Sequence, residues 1–596
     1  MAQFLLLALA WFFQPAQTPA TPSFKAFSYD SAVLGGARTY RVMAPLNYGR
    51  SHDRYPVVYW LHGVEPVPEA QEAKLAAYVA SHNLIVVDGG PEEAGGQGPY
   101  YFPELVEQID GTTRTIPDRG HRALVGVGKG GFVALFLAGK YPDLVGSVSS
   151  FEGTTEAMVG PENFPVDCSL DELYGNYDGV RIRLAHSSAD SLAFYHRRLD
   201  SIWSQTRSSF ESNTFLAGQD LAEIGRTLDF HMGAFALPLP KPAVFGHADA
   251  SPNFTVWGWE VVSDRKQPGL TVLENVTNTG FRSAVRQYLP SGAIIPEVHL
   301  SIGSPAIYPP GIVLTVTYIH LIDGKMHRKD QRVDAHGRLN FELTGDAWEV
   351  GVSNGPLLAV TGYSVADANW ATAGQPVNLK VHFANKGGAR TPTSLLRWES
   401  PNPGVKFATP EGRLYFLAPG ESASLPVTFT VSDQERAIVR LIAVFGPSRM
   451  AVDVPLFPPA GASKDFEIAD GRPVTVFQHA TQKESVRYGE GNGDGHAAPG
   501  ETFAVLIPDG GALRAAEIFT NDTCVENTTR GLDSWNDYDH SRASAKYSLP
   551  SIHMDCDPGI PIRMLARILI PDGAETHYKY LSVEFPVWYR NEVKIR

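Results

Sequence analysis

Residues 121–143 read HRALVGVGKGGFVALFLAGKYPD. A buried apolar run leads into Gly126-Val127-Gly128-Lys129-Gly130-Gly131, and an amphipathic helical pattern follows. A strand that turns this sharply into a helix holds its tip residue in a strained conformation, and flanking glycines let the backbones pack closely. The start of the helix then aims backbone N–H groups at a developing negative charge. In many hydrolases such a tip carries a nucleophilic serine. Here the turn holds no Ser, Cys or Asp. Nor is it a phosphate loop, because it lacks the spacing and the Lys-Ser/Thr ending of one.

A second stretch whose spacing points to chemistry is EGNGDGHAAPGE, residues 490–501. Glu490, Asn492 and Asp494 stand at loop positions 1, 3 and 5, Gly495 at the sharp-turn position 6 and Glu501 at position 12. Ca²⁺ takes about six to eight oxygens, of which Glu501 would supply two. Glu at position 1 and Pro499 depart from the EF-hand pattern, and the flanks VRYGE and TFAVLIP read as strands. The expectation is an EF-like calcium loop in a β domain. The other reading is a hairpin turn rich in Asn, Asp and Gly.

The elements around these stretches divide the chain. From about residue 24 to 245, short apolar runs such as YPVVYWLHG (55–63), NLIVVDGG (83–90) and VRIRLAHSSAD (180–190) alternate with helical patterns. That alternation predicts an α/β domain with a mostly parallel sheet covered on both faces. Beyond 245 the helical period stops. Alternating segments between Gly, Pro, Asn and Asp turns predict β-sandwich domains over 246–356 and 357–460, the latter Ig-like, and a third β domain over 464–596.

The 596-residue chain has net charge −14 and no Lys/Arg run to track phosphates, which argues against nucleic acid. Residues 1–20 hold an apolar run, Phe4 to Phe13, followed by small residues and prolines. The run is too short to span a bilayer and reads as a signal peptide, although no Lys or Arg precedes it. A secreted, periplasmic or cell-surface location follows, with no membrane span. Such a location permits a Cys524–Cys556 disulfide, the alternative being free thiols.

RTYRVMAPLNY, RYPVVYWLHG and the stretch from YYFPELVEQIDGTTRTIPDRG through HRALVGVGKGGFVALFLAGKYPDLVGSVSSFEG resemble the secreted esterase family of α/β-hydrolases, with its esterase D-like and feruloyl esterase-like members. The resemblance covers a little over a third of the chain. It implies an α/β-hydrolase fold whose elbow is Gly-x-Ser-x-Gly-Gly. Gly126, Gly130 and Gly131 match the glycines, and Gly128 stands at the nucleophile position. It further implies Asp190 as the acid and His231, in LDFHMGAF, as the base, keeping the chain order Ser…Asp…His. The flanks of His231 differ from the family's Gly-x-His-x-Trp. The oxyanion region corresponds to Gly63, Val64 and Lys129, beside His62.

Each residue also has a plainer role. Asp190 would cap the next helix, His231 would be a hydrogen-bonded structural histidine, and Lys129 would be a surface lysine or a cation for an anionic ligand. Ser149, Ser150, Ser187 and Ser188 lie near strand ends, but none in an elbow. Without a nucleophile a serine hydrolase loses on the order of 10⁶ in turnover. The resulting expectation is a catalytically degenerate esterase-like domain that binds a carbohydrate or acyl-ester ligand, or acts as a scaffold, without a cofactor of its own. The β domains would then serve adhesion or sugar contacts, with WGW (257–259) as candidate stacking residues. The alternative is an active ester hydrolase using a non-standard site.

Overall fold

The computed structural model describes residues 21–62, 66–89, 96–190, 193–206, 209–289, 292–366, 369–402, 404–432, 437–446, 448–478, 482–526, 549–572 and 575–589. The N-terminal apolar run, Gly63 and Val64 lie outside the described residues.

The first domain is built in the order β1 (Lys25–Asp30), β2 (Ala37–Met43), β3 (Val57–Leu61), α1 (Glu69–Ser81), β4 (Ile85–Asp88), α2 (Gly98–Thr112), β5 (Arg122–Val127), α3 (Lys129–Lys140) and β6 (Ser147–Phe151). A small hairpin follows, β7 (Glu156–Val159) and β8 (Val166–Ser169). Then come β9 (Arg181–Ser187), α4 (Ala193–Thr206), β10 (Phe210–Phe215) and α5 (Asp220–Ala236). Eight strands form one sheet in the order β1-β2-β4-β3-β5-β6-β9-β10. From β4 to β10 every pairing is parallel.

The apolar strands follow from this layering, because a sheet covered on both faces must be apolar on both. In β3, Tyr59 and Leu61 pack with Phe102, Ile109 and Leu135 of α2 and α3. The alternate residues Val58 and Trp60 pack with Val79 and Leu228 of α1 and α5. The carboxyl edge of this sheet is where an α/β fold places its site.

Three all-β units follow, each with two larger sheets, and the last adds a two-stranded sheet of Val525–Glu526 with Ser551–Ile552. Strands between Phe245 and Val352 form sheets of six and four. Trp259, Phe281 and Phe341 meet between them with ring centroids 5.2–6.3 Å apart. Strands from Leu358 to Phe457 and from Gly461 to Pro586 each form a four- and a five-stranded sheet. Trp257 and Trp259 are buried, so WGW fills a sandwich core and offers no face to a sugar. Cys524 and Cys556 are joined in a disulfide, with Cα atoms 5.6 Å apart, and Cys168 is a buried free thiol. Among the described residues no helix is long and apolar enough to cross a membrane.

The units are docked through buried charges. Lys140, the last residue of α3, donates to both oxygens of Asp249 (2.8 and 2.6 Å) and to Ser251 Oγ (2.9 Å). Asp249 ends β11 (Phe245–Asp249), the first strand of the next unit. Arg198 of α4 reaches Tyr578 Oη in the last unit (2.8 Å). Arg440, on strand Ala437–Phe445, pairs with Asp178 of the first domain (3.1 Å).

Candidate functional site

Gly128 sits at the N-terminus of α3 with φ 55° and ψ −123°, a backbone region that L side chains rarely adopt. Its N–H donates to Phe151 O (2.8 Å) and its carbonyl accepts from Gly131 N (2.9 Å). The surrounding glycines are needed for space. A Cβ on Gly126 would overlap the Gly130 carbonyl, one on Gly130 the Leu61 carbonyl, and one on Gly131 Ser150 Oγ. A Cβ on Gly128 meets nothing within 4 Å. The strand–turn–helix therefore has the geometry of a nucleophile elbow, with no side chain at its tip and nothing among the described residues within 4 Å of where a Cβ would stand. Gly126→Ala is expected to destabilise by more than about 3 kcal/mol through backbone overlap, against about 1–3 kcal/mol of backbone strain for Gly128→Ala. Urea unfolding of the two variants checks the order.

Asp190 lies just beyond β9 at the carboxyl edge. Its N–H donates to Ser187 O (3.0 Å), and its carbonyl accepts from Ala193 N at the start of α4 (3.2 Å). Its charge raises the carboxyl of Glu152, which burial has already pushed up. Glu152 follows β6 with φ 50°, and its Oε1 accepts from Ser187 N (3.2 Å). No pattern in the sequence signalled this strained glutamate.

His231 is not at the edge. It lies fully buried in α5, with Ser147 Oγ 2.8 Å from Nδ1 and Ser149 Oγ 2.9 Å from Nε2. Those serines pair with Ala123 and Val125, three to five residues short of the elbow, or about 10–17 Å back along the strand. The assignment of His231 as base is therefore corrected. LDFHMGAF continues an amphipathic helix, and Leu228, His231 and Phe235 share its buried face at helical spacing. The loop that follows β10, from which a base would reach the elbow, is Leu216-Ala217-Gly218-Gln219 and holds no histidine.

Burial, with Arg183 adding to it, holds His231 neutral down to about 3. The unfolded ring titrates near 6.5, so the unfolded chain binds the extra proton first. The contribution of His231 is complete above about pH 6.5 and falls by about 1.4 kcal/mol per unit as pH drops toward 3. His231→Gln, which keeps a neutral hydrogen-bonding group, is expected to flatten that part of the stability–pH curve in urea titrations.

The remaining candidates do not supply a nucleophile–base pair. His62 follows β3, and its Nε2 is 2.8 Å from Asp88 Oδ1. Burial raises the Asp88 carboxyl, but His62 and Arg41 outweigh it and hold it below the usual range. Leu61 pairs with Gly126, so His62 borders the elbow. Lys129 is exposed at the first position of α3. Ser149 is bound to His231. Ser150 Oγ is buried against Gly131 and Gly153 with no hydrogen-bond partner among the described residues. Ser187 Oγ accepts from Ala189 N (3.2 Å), and Ser188 N donates to Phe215 O (2.7 Å).

In the 490–501 loop the carboxylates serve the loop's own backbone. Asp470 accepts from the amides of Gly493, Asp494 and Gly495 (2.9–3.1 Å). Glu501 accepts from Asn492 N (3.2 Å) and Ala498 N (3.1 Å). Asp494 accepts from His496 N (3.0 Å) and from the Asn492 side chain (3.0 Å). Glu490 N donates to Thr502 Oγ1 (2.7 Å). Among the described residues no three His, Cys, Asp or Glu side chains gather as metal ligands. Each of these carboxylates keeps lone pairs beyond those the amides use.

Comparison with known proteins places the resemblance on the elbow domain. The family described as "Putative esterase" matches residues 31–223, a span that holds β2 to β10 and ends before His231. A ferulic acid esterase is 19% identical over 36% of this chain and 99% of its own, with TM-score 0.30. The S-formylglutathione hydrolase of Staphylococcus aureus is 13% identical over 36% and 100%, with TM-score 0.27. A ferulic acid esterase from Anaeromyces mucronatus, in complex with ferulic acid, is 18% identical over 37% and 94%, with TM-score 0.28. No curated protein matches. The chain is thus esterase-like over the segment that builds the elbow, and largely β-sheet beyond it.

Proposed function

We propose that this chain is a secreted esterase-like protein whose α/β domain binds an acyl-ester or carbohydrate ligand, or a partner, without cleaving it. One observation carries the reading: the elbow is built, yet Gly128 leaves its tip empty and His231 is sealed in the core. An acyl-enzyme mechanism needs a nucleophile within hydrogen-bond reach of a base, and no such pair stands at the elbow among the described residues. The disulfide and the apolar N-terminal run support export. Calorimetry with methyl ferulate and feruloylated oligosaccharides, with chromatography of the recovered ligand, tests the proposal. Binding with the ester intact is expected, and sustained turnover that is lost in His62→Ala would instead favour a non-standard site on the His62–Asp88 pair.

Calcium at the 490–501 loop is a separate proposal. It is favoured by the crowding of Asp470 and Asp494 around Glu501, whose carboxyl is raised first by burial and then by those charges. A dication would relieve that repulsion. A rise in Tm on adding Ca²⁺ to chelator-treated protein is the expected result, and an unchanged Tm rejects it.

A further inference from the structure

The second all-β unit presents aromatic rings to solvent. Strands Ser394–Glu399 and Glu411–Leu414 pair at one border of its five-stranded sheet. Side chains alternate across a strand. Leu396, Trp398 and Leu414 therefore enter the core, while Leu395, Arg397, Glu411 and Arg413 face outward. Leu395 and Arg413 are direct partners across the pair, as are Arg397 and Glu411. Beyond Leu414 the chain passes through Tyr415 and Phe416 before Leu417 is buried again. Tyr415 is 66% exposed, Leu395 57% and Phe416 48%.

This patch is held rigidly. Leu414 and Leu417 anchor both ends of the Tyr415–Phe416 pair in the core. Phe416 N donates to Thr393 Oγ1 (3.2 Å), Leu417 N to Thr391 Oγ1 (2.8 Å) and Thr391 N to Leu417 O (2.9 Å). The Arg390 guanidinium lies over the Phe416 ring, 3.3 Å from its centroid. Arg413 makes no ion pair among the described residues. Single exposed apolar side chains are ordinary on a protein surface, but three within one fixed patch mark a contact site.

We propose that this face binds an acidic polysaccharide, a chain of uronic acid units. The C–H face of a sugar ring is apolar and stacks on an exposed aromatic ring such as Tyr415. The guanidinium forks of Arg413 and Arg390 match the carboxylate that each uronate carries. Charge and size select this occupant. Glu399 binds Arg397 and Arg449, and Glu411 stands opposite Arg397. Those two carboxylates offset those two cations and leave Arg390 and Arg413 as local positive charge on a chain of net charge −14. The three apolar side chains offer on the order of 300 Å², well short of the ~800 Å² that each partner gives to a stable protein interface. A sugar chain needs only ring-sized contacts. The site lies outside the α/β domain and stands whether or not that domain binds a ligand.

Calorimetry of the whole protein with hexamers of galacturonate and of mannuronate, at low ionic strength, tests the proposal. Binding of at least one is expected. Its affinity should fall about tenfold when the carboxylates are methyl-esterified, and about tenfold in Arg413→Gln and in Tyr415→Ala. Both positions are exposed, so an unchanged thermal transition is expected in both variants. Binding of methyl ferulate reads the α/β domain separately and should be the same in the variants as in the unsubstituted protein. No binding of either uronate would overturn the proposal, as would an affinity unchanged in both variants. Equal or tighter binding of a hexaglutamate peptide or of phosphatidylglycerol vesicles would also overturn it, making the occupant an acidic protein segment or a membrane.

Discussion

Gly128→Ser yields a folded protein that still does not hydrolyse esters: this is the expected result of restoring the family's elbow residue. The space is present, since a Cβ at this position meets nothing within 4 Å among the described residues. The cost is backbone strain at φ 55°, about 1–3 kcal/mol, which urea unfolding would show. The serine hydroxyl would stand at the tip without His231 to take its proton. His231 is engaged at both nitrogens below the sheet edge, and the loop after β10 carries Leu216-Ala217-Gly218-Gln219. In a serine hydrolase, losing the base alone costs about as much as losing the whole triad, on the order of 10⁶ in turnover. Hydrolysis of p-nitrophenyl acetate and methyl ferulate by Gly128→Ser should equal that of the unsubstituted protein. A rise of tenfold or more would mean that an imidazole does reach the elbow, and the account of a missing base would fall, with Gly128 alone left to explain the lack of a nucleophile.

Asp249→Ala is expected to cost about 3–5 kcal/mol of stability. Lys140 and Asp249 are each 4% exposed, and Lys140 lies 5.3 Å from the Tyr100 ring and 5.6 Å from that of Tyr141. Burial would raise the Asp249 carboxyl, but the Lys140 charge, helped by His247, holds it well below the usual range. Removing one partner strands an ammonium in a dry site, whereas removing both leaves an apolar contact. Lys140→Met/Asp249→Leu should therefore lose far less than either single change. The pair joins α3 to β11, so Asp249→Ala should also split one thermal transition into two as the α/β domain and its neighbouring sandwich uncouple. Calorimetry of the three variants reads both effects, and a double variant as unstable as the single would contradict the assignment.

The elbow was legible because it is local. Gly126, Gly130 and Gly131 are dictated by backbone approaches within one strand–turn–helix, and such constraints leave a fixed spacing in the chain. The parallel sheet was legible from runs such as VVYWL and RALVGV, since strands covered on both faces have no polar side to show. His231 was misread because a histidine on the apolar face of a helix looks the same in sequence whether its neighbours are two buried serines or a substrate. Glu152 carried no signal at all, because only the pairing of β6 with β9 brings it to Ser187.

The docking of the units was equally hidden. Lys140 ends an ordinary helix pattern and Asp249 an ordinary strand, 109 residues apart, and only the packed structure buries them against each other. By itself the sequence determined the α/β order, the three β units, the spacing of the elbow and the absence of a nucleophile from it, because each depends on residues near one another in the chain. Only the tertiary structure decided that His231 is buried on Ser147 and Ser149, away from the elbow, and that WGW is core. Those are questions of which distant side chains meet and how much water reaches them, and no local pattern encodes the answer.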